Sequence, residues 1–348
     1  MSNFLLHIAN KALAACVCGF FIIVVSCNSA FASGGTPTLI SNIEDRKAPE
    51  IKGVKKWINS KALQISDLKG KVVLVDFWTY SCINCIRTLP HMNELQEKYG
   101  DKGLVIIGIH APEFDFEKDE KNVAAAIKKF GIKYAVGLDN DRKTWKNFDN
   151  QYWPAHYLID QGGNIVYTHF GEGAYDVMDN NIRALLKISG KSMVKKPETL
   201  WFSGIDEVTP ETYLGFERAA RNANDGDKVF AFPSTLPLHF WALNGKWKIE
   251  AQHSRALDAN AALRLYFGAK KVFLVMDSKD GKPINVELKL NNKKIAKNEA
   301  GIDVKDGAVV VSEARLYELV QSKNSIKSTL EIVANRPGLR VYAFTFGN

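Results

Sequence analysis

Hydrophobic and polar positions follow two different patterns along the chain, and the change falls near residue 197. From residue 51 to about residue 190, apolar runs typical of buried strands alternate with segments whose apolar residues recur with helical spacing. The predicted elements are strands at 71–78 and 103–110, helices at 82–99, 117–130 and 176–189, and a hairpin of 155–160 and 164–168. Because proline lacks the backbone N–H of a helix interior, we expect the first helix to be broken or kinked at Pro90.

Beyond residue 197 the chain consists of short, often alternating segments separated by turn dipeptides such as Asn244-Gly245 and Asp280-Gly281. The segments are 229–232, 247–252, 262–267, 271–276, 284–290, 308–311, 328–334 and 340–346. Many short strands with such turns are typical of an antiparallel sandwich. A chain of 348 residues accommodates two domains. We therefore expect an α/β domain at 51–190 and a β-sandwich domain at 197–348.

The N-terminus has the pattern of a secretory signal peptide. Residues 12–25 are apolar and uncharged, and this stretch is shorter than the about 20 residues that span a membrane. The favoured prediction is that residues 1–32 are removed by cleavage after Ala32 and that 33–50 form a linker. A lipoprotein anchored at Cys27 and an uncleaved short anchor remain open. Each alternative predicts a location in the periplasm or extracytoplasmic envelope, where disulfide substrates occur.

The formal net charge of +8 at pH 7 adds little to this picture. The basic residues are scattered in pairs such as Lys128-Lys129 and Lys270-Lys271. Since a solvated surface explains scattered charges more simply than a nucleic-acid site, we expect no nucleic-acid partner. Attraction to anionic envelope surfaces remains open.

Two of the five cysteines lie where chemistry is expected. Cys82 and Cys85 stand between the strand at 71–78 and the helix at 82–99, which is the arrangement of a thioredoxin-type redox site. Because a helix start stabilises a thiolate, we predict that Cys82 is the exposed nucleophile and Cys85 the buried resolving thiol. No second CxxC and no closely spaced histidine pair completes a zinc site in the sequence. We expect a redox-active Cys82–Cys85 disulfide, no metal and no other cofactor, in preference to an inert disulfide or a metal half-site.

Asp76 is a carboxylate in an otherwise apolar strand, shortly before Cys82. Burial favours the protonated form of such a group, and we expect Asp76 to exchange protons with Cys85 as a general base. A strand-end aspartate that faces solvent is the alternative. In thioredoxin folds a cis-proline loop packs against the CxxC and presents backbone groups to the substrate. We assign this role to Pro154 and expect Trp153 to line the substrate groove.

Other polar residues near the predicted site carry less information. Glu113 follows the second strand and lies near the same end of the sheet as the cysteines. Tuning of the cysteines, substrate binding and an ordinary loop position all remain open for it. His91 and His156 are expected to be surface or packing residues and have no role in the predicted mechanism.

Several motifs together resemble the DipZ-type branch of the TlpA-like thioredoxins. The resembling segments are VVLVDFW at 72–78, WTYSCINCIRTLP at 78–90, HAPEF at 110–114, YWPAHYLID at 152–160, GEG at 171–173, PETYLG at 210–215, WALNGKW at 241–247 and YAFTFG at 342–347. They cover most of the chain after the predicted signal peptide. Where the commoner TlpA pattern has an acidic residue three positions after the second cysteine, this chain has Thr88.

The resemblance implies a thioredoxin-like domain followed by a carbohydrate-binding-module-like jelly roll. It implies an extracytoplasmic thiol–disulfide oxidoreductase, and it favours reduction of protein disulfides over oxidation. The fuller family members carry a membrane domain that brings electrons across the membrane. For this chain we therefore expect a separate membrane electron donor of the CcdA/DsbD type.

Two other functions remain open at this stage. Thiol peroxidases are built on a related fold, although their peroxidatic cysteine usually lies in a different motif without a partner three residues on. A glycan- or partner-binding protein with an accessory redox domain would use aromatic residues of the second domain as a sugar-stacking platform. The residues for this platform are Trp201, Tyr213, Trp241 and Trp247. Packing of these aromatics in the core or at the domain interface is the preferred interpretation.

Overall fold

The computed structural model describes residues 35–44, 46–190, 208–221 and 227–347. The predicted signal peptide with both cleavage sites, the joint at 191–197, and Trp201 lie outside the described residues. Among the helices within these ranges, none has the length and apolar character needed to cross a bilayer.

The first part of the chain alternates strands and helices, as the pattern predicts. The strands are β1 Arg46–Lys47, β2 Lys56–Ile58, β3 Val72–Trp78, β4 Leu104–His110, β5 Ala135–Leu138, β6 Ala155–Ile159 and β7 Asn164–Phe170. The helices are α1 Ile83–Tyr99, α2 Glu120–Lys129, α3 Lys143–Asn147 and α4 Tyr175–Leu185, and short 3₁₀ helices cover Ile65–Leu68, Gly100–Lys102 and Asp115–Lys118. Within the described residues the strands form one sheet in the order β1-β7-β6-β3-β4-β5-β2.

β3 lies at the centre of this sheet and is buried along its whole length. It pairs in parallel with β4 and antiparallel with β6. Both faces of the sheet are covered, because Val72, Leu74 and Trp78 pack with helix α1 on one side and Val73, Val75 and Phe77 pack in a second cluster. A strand covered on both faces needs apolar residues at nearly every position, which makes the single carboxylate of Asp76 conspicuous.

Three local predictions need correction. The predicted break of the first helix at Pro90 is wrong, because α1 continues through this residue, which is exposed at the helix surface. Helix α2 begins at Glu120 rather than at residue 117, because the Asp119 side chain accepts a hydrogen bond from the Lys121 N–H and caps the helix. Strands β1, β2 and β5 and helix α3 were not predicted, since each is too short to show a clear period.

The second part of the described chain is all β. Its strands are β8 Thr212–Tyr213, β9 Asp227–Phe230, β10 Trp241–Ile249, β11 Ser254–Ala256, β12 Ala262–Ser278, β13 Ile284–Leu290, β14 Lys293–Lys294, β15 Ala308–Val311, β16 Arg315–Ala334 and β17 Leu339–Gly347. They form one large antiparallel sheet within the described residues. The all-β prediction for this part is confirmed.

Two long strands join the halves of the second sheet. The segments predicted at 262–267 and 271–276 are one strand, β12, which continues across a register shift between Ala269 and Lys271. The first half of β12 pairs with β10 and the second half with β17. β16 is much longer than the predicted 328–334, because the polar run QSKNS at 321–325 interrupts the apolar pattern in the middle of the strand.

The core of the second part contains the tryptophans that the glycan hypothesis would need at the surface. Trp241 and Trp247 are 0% exposed and pack in the main hydrophobic cluster. A sugar ring cannot stack on a buried indole, so the sugar-stacking platform that includes them is wrong. For these two residues the core-packing interpretation holds.

A small aromatic cluster connects the two parts of the molecule. Phe114 and Phe116, which follow β4, pack against Tyr342 of β17 at ring-centroid distances of 5.1 and 4.8 Å. The Asp115 N–H donates to the Gln252 side chain at 2.9 Å. These contacts fix the second sheet beside the end of β4, which is the end of the first sheet that carries the cysteines.

Candidate functional site

Cys82 and Cys85 lie at the start of α1, directly after the central strand β3. Cys82 is the N-cap of the helix, and its sulfur accepts the Cys85 N–H at 3.4 Å. Both cysteines are free thiols; Cys82 is half-buried and Cys85 is fully buried. The helix start therefore presents one accessible sulfur and one sulfur enclosed in the core, as two successive sulfur attacks require.

The two thiols differ in their electrostatic surroundings. Burial raises the pKa of the Cys85 thiol well above its ordinary value, and its hydrogen bond to Cys82 and the charges of Cys82 and Asp76 raise it further. A thiol with such a pKa stays protonated at neutral pH and needs a base before it can attack a disulfide. This asymmetry fits Cys82 as the first nucleophile and Cys85 as the resolving thiol.

The loop before β6 faces the exposed thiol. The Trp153–Pro154 peptide bond is cis, and the Cys82 thiol lies 4.0 Å from the Trp153 carbonyl oxygen, which it approaches as a donor. Trp153 is held by its indole N–H, which donates to the Ala111 carbonyl at 3.0 Å, and by Trp145 at a ring distance of 4.2 Å. The Arg142 guanidinium lies 4.8 Å from its ring centroid. Trp153 thus anchors the loop as well as lining the groove.

Asp76 is buried behind the cysteines. It is 1% exposed and belongs to the series of alternate β3 positions whose members Leu74 and Trp78 pack with Cys85. The alternative of a solvent-facing strand-end aspartate is therefore wrong. Its Oδ1 atom lies 3.3 Å from Nε2 of His156. His156 is also buried, which agrees with the packing position expected for it.

Glu113 connects the site to the second sheet. Its Oε1 atom accepts hydrogen bonds from the Tyr213 hydroxyl at 2.7 Å and from Arg218 at 2.9 Å. The Arg218 guanidinium also stacks on Tyr213, 3.8 Å from the ring centroid. Glu113 and Cys82 line the same cleft. Glu113 therefore lies in the cleft wall with its carboxylate bound by Tyr213 and Arg218, and its tuning of the cysteines or binding of substrate stays a prediction.

Glu117 is a site residue that the sequence did not reveal. It is 0% exposed, and its Oε1 atom accepts hydrogen bonds from the backbone N–H and the hydroxyl of Ser81, at 3.3 and 2.7 Å. Its Oε2 atom accepts the N–H groups of Glu113 and Phe114 at 2.6 and 3.0 Å. Burial and the charge of Glu113 raise the pKa of Glu117. This one carboxyl group joins the residue before Cys82 to the loop after β4.

The cleft beside Cys82 has a volume of about 650 Å³ and is built from both parts of the chain. Its lining includes Cys82, Trp153, Phe170, Glu211, Tyr213 and Phe346. Although much of Glu211 is exposed to the cleft, the surrounding walls and the charge of Glu113 raise its pKa to about 7. The Tyr213 hydroxyl lies 2.7 Å from both Glu113 Oε1 and Glu211 Oε2. Since that hydroxyl has one proton, a protonated Glu211 lets all three groups bond.

The described residues contain no group of three or more histidine, cysteine or acidic side chains that could hold a metal ion.

Three features of the site could not be predicted from the sequence. The roles of Glu117, of Tyr213 and Arg218, and of His156 depend on contacts between distant segments. The clearest missed signal was Glu117, the second glutamate of the HAPEFDFE stretch, whose first glutamate, Glu113, was already a candidate.

Two family models and several curated proteins match this chain. The model described as Redoxin matches residues 44–186, and the model described as Thioredoxin like C-terminal domain matches residues 209–347. Protein DipZ of Mycobacterium tuberculosis is 34% identical over 320 residues, which are 86% of this chain and 43% of that protein. The chain thus spans less than half the length of this relative.

Shorter relatives match the first part of the chain. Thiol-disulfide oxidoreductase ResA of Bacillus thuringiensis is 30% identical over 128 residues, 37% of this chain and 71% of that protein. Thiol-disulfide oxidoreductase YkuV of Bacillus subtilis is 26% identical over 138 residues, 40% of this chain and 93% of that protein. With the Redoxin match, these similarities confirm the thioredoxin-like fold predicted for the first part.

Proposed function

Because the chain belongs to the DipZ/TlpA-like family of thioredoxin-like thiol–disulfide oxidoreductases, we propose that it reduces disulfide bonds of proteins outside the cytoplasm. The observation that carries the proposal is the pair of unequal thiols at the start of α1. Cys82 is accessible from the cleft, and Cys85 is sealed in the core behind it. No other cofactor is needed, since the dithiol itself carries the electrons.

The reaction proceeds in two steps. The Cys82 thiolate attacks a substrate disulfide in the cleft, forms a mixed disulfide and releases one substrate thiolate. Cys85, deprotonated by Asp76, then attacks Cys82 and releases the second substrate thiolate. The Trp153–Pro154 loop holds the substrate segment beside Cys82. Support for this last role comes from the Trp153 carbonyl, which faces the Cys82 sulfur at 4.0 Å.

The oxidised Cys82–Cys85 pair must be reduced again after each cycle. We propose a membrane protein of the CcdA/DsbD type as the electron donor, and a location in the periplasm or envelope. The signal-like N-terminal pattern and the resemblance to DipZ support both proposals. Removal of residues 1–32 and anchoring at Cys27 remain alternative routes to that location.

The second part of the chain contributes to the same cleft. We propose that it has a jelly-roll arrangement and that its role is to form one wall of the substrate site. Glu211, Tyr213 and Phe346 of this part line the cleft with Cys82. Because Trp241 and Trp247 are buried, they offer no aromatic surface on which a glycan could stack.

The proposal is tested with the reduced protein and an oxidised model protein such as insulin. The full chain without residues 1–32 should reduce insulin disulfides with dithiothreitol as the electron source. Cys82→Ser should abolish the reaction, and Cys85→Ser should accumulate a mixed disulfide on Cys82 that mass spectrometry detects. Full activity of Cys82→Ser would refute the mechanism.

The same preparation separates the peroxidase alternative. Hydrogen peroxide replaces insulin, and thiol loss is followed with time. Slow, nonspecific thiol loss supports the reductase. Rapid stoichiometric peroxide consumption together with poor insulin reduction would favour a thiol peroxidase instead.

A further inference from the structure

Asp76 and His156 form a buried pair of titratable groups in the sheet behind the resolving cysteine. The register of β3 and β6 places them opposite each other, and they are 1% and 2% exposed. Asp76 Oδ1 lies 3.3 Å from His156 Nε2, but the present orientation does not form a hydrogen bond. Neither atom has another hydrogen-bond partner among the residues that the structure describes. A small rotation of the imidazole would join them.

Described residues of two neighbouring strands and of helix α1 surround this pair. Gly108 lies opposite Asp76 on β4 and brings no side chain. His169 lies opposite His156 on β7, with ring centroids 6.1 Å apart and planes 13° apart. Other described titratable groups that interact with the pair are Cys85 and His91 on α1 and Tyr134 before β5. Burial lowers the pKa of both His91 and His169, so at neutral pH they bring no positive charge.

An isolated carboxylate in such a place would be a poor base. Transfer of a lone ion into the interior is costly, and a buried carboxylic acid avoids the cost by keeping its proton. A protonated Asp76 could not accept the proton of Cys85. A carboxylate and an imidazole that share one proton are neutral as a pair, so the proton can reside on the imidazole and leave the carboxylate ionised.

We propose that His156 is a positioning residue that keeps Asp76 ionised and thereby ready to take the proton of Cys85. The inference rests on the proposed function, because it concerns the second step of that reaction. His156 touches neither thiol in this account and acts only through Asp76. It supplies Asp76 with a cation, which His91 and His169, the two other histidines among the described neighbours named above, do not.

The S–H bond of Cys85 breaks, and its proton joins the Asp76 carboxylate. The Cys85 sulfur forms the bond to Cys82, while the bond between Cys82 and the substrate sulfur breaks and its electron pair leaves with the substrate thiolate. The dithiol is oxidised by two electrons and the substrate disulfide is reduced by two. The pair then loses its extra proton, for which the half-buried His169, whose ring stacks against that of His156, offers a route toward solvent.

The test uses His156→Gln in the full chain without residues 1–32, with His91→Gln as the matched control from the same surroundings. Reduced protein reacts with a peptide disulfide, acid stops the reaction, and mass spectrometry follows formation and resolution of the Cys82 mixed disulfide between pH 5.5 and 9. We expect His156→Gln to slow resolution at least about tenfold near neutral pH, with recovery as the pH rises. Formation of the mixed disulfide and alkylation of Cys82 should change less than about twofold. The control should match the wild type in both steps.

Two further variants separate this role from a structural one. The double variant Asp76→Asn, His156→Gln should resolve the mixed disulfide no more slowly than Asp76→Asn alone, because both substitutions act on the same base, Asp76. His156→Lys supplies a cation that does not depend on imidazole and should restore resolution. Infrared spectra of the reduced protein should show a carboxylate band that Asp76→Asn removes and that His156→Gln converts to the protonated form.

The outcomes are distinguishable from failure of the proposed function. If the wild type forms no mixed disulfide at Cys82, the proposed function fails and the inference falls with it. If the wild type works and folded His156→Gln resolves the mixed disulfide at the wild-type rate and with the wild-type pH profile, only the inference is overturned. Equal slowing of both steps at every pH would also overturn it. Should His156→Gln fail to fold, a folded His156→Lys that resolves as slowly as Asp76→Asn overturns it as well.

Discussion

Replacement of Trp153 by alanine tests whether this side chain anchors the loop that faces Cys82. The change removes the hydrogen bond to the Ala111 carbonyl, the ring contact with Trp145 at 4.2 Å and the cation–π contact with Arg142 at 4.8 Å. A hydrogen bond contributes about 0.5–1.5 kcal/mol, an aromatic pair about the same, and a cation–π contact about 0.5–1 kcal/mol. We expect Trp153→Ala to lower the free energy of unfolding by about 1.5–4 kcal/mol.

Trp153→Ala should also lower the rate of disulfide reduction, because the loop that Trp153 anchors lies beside Cys82. With its anchor removed, the loop carries the Trp153 carbonyl and Pro154 away from the place where a substrate segment meets Cys82. A misplacement of about 1 Å in a reacting geometry costs up to about a hundredfold in rate, and we expect kcat/KM for insulin reduction to fall at least about tenfold. Alkylation of Cys82 by iodoacetamide should change much less, because the helix start is untouched.

Urea unfolding followed by circular dichroism measures the stability change. Tyr152→Ala is the matched control, since Tyr152 is the adjacent aromatic residue and is 52% exposed; it should cost less than about 1 kcal/mol. Trp153→Phe keeps a ring against Trp145 but loses the N–H donor, and should cost about 1 kcal/mol. The reasoning is refuted if Trp153→Ala unfolds at the same urea concentration as Tyr152→Ala, or if it reduces insulin as fast as the wild type.

Two further predictions concern the contacts between the site and its surroundings. Burial raises the pKa of Glu117 in the folded protein above its ordinary value of 4.5. From about pH 4.5 upward the native state therefore binds more protons than the unfolded state. The free energy of unfolding then falls as the pH rises through the folded pKa. Glu117→Gln should remove this contribution. Urea unfolding of the wild type and the variant between pH 4.5 and 8 should show a smaller decline of the free energy of unfolding for the variant. Parallel curves would contradict the raised pKa of Glu117. Tyr342→Phe removes a hydrogen bond of 3.2 Å to Asp277, while Asp277 keeps its pairing with Arg340. The free energy of unfolding should fall by about 1–2 kcal/mol in the same assay. Tyr152→Phe, at an exposed position, is the control and should leave the free energy of unfolding nearly unchanged.

Local patterns in the sequence predicted the elements that carry the redox chemistry. The apolar run of β3, the CxxC after it and the proline before β6 are contiguous signals, and each has a direct structural counterpart. Asp76 was recognisable because a lone carboxylate in a buried strand needs a reason. The sequence could not show which partner it meets, because strand pairing across about 80 residues decides that His156 lies opposite.

The second sheet shows the limit of local reasoning more clearly. Its strands were recognised where apolar and polar residues alternate, as in β13, and where a short apolar run follows a turn, as in β15. The first half of β16 was missed, because the polar run at 321–325 separates it from the recognised segment at 328–334. That Tyr213 and Arg218 bind Glu113 could not be inferred from either segment alone, since about a hundred residues separate them in the chain.

The reduction potential of the Cys82–Cys85 pair tests the central claim most directly. The protein without residues 1–32 is equilibrated in dithiothreitol and glutathione buffers of known potential, and the fraction of dithiol is read by alkylation and mass spectrometry. A reductase fed by a membrane electron donor should have a potential near that of thioredoxin, about −270 mV. A potential near about −120 mV, as in a disulfide-forming oxidant, would contradict the account.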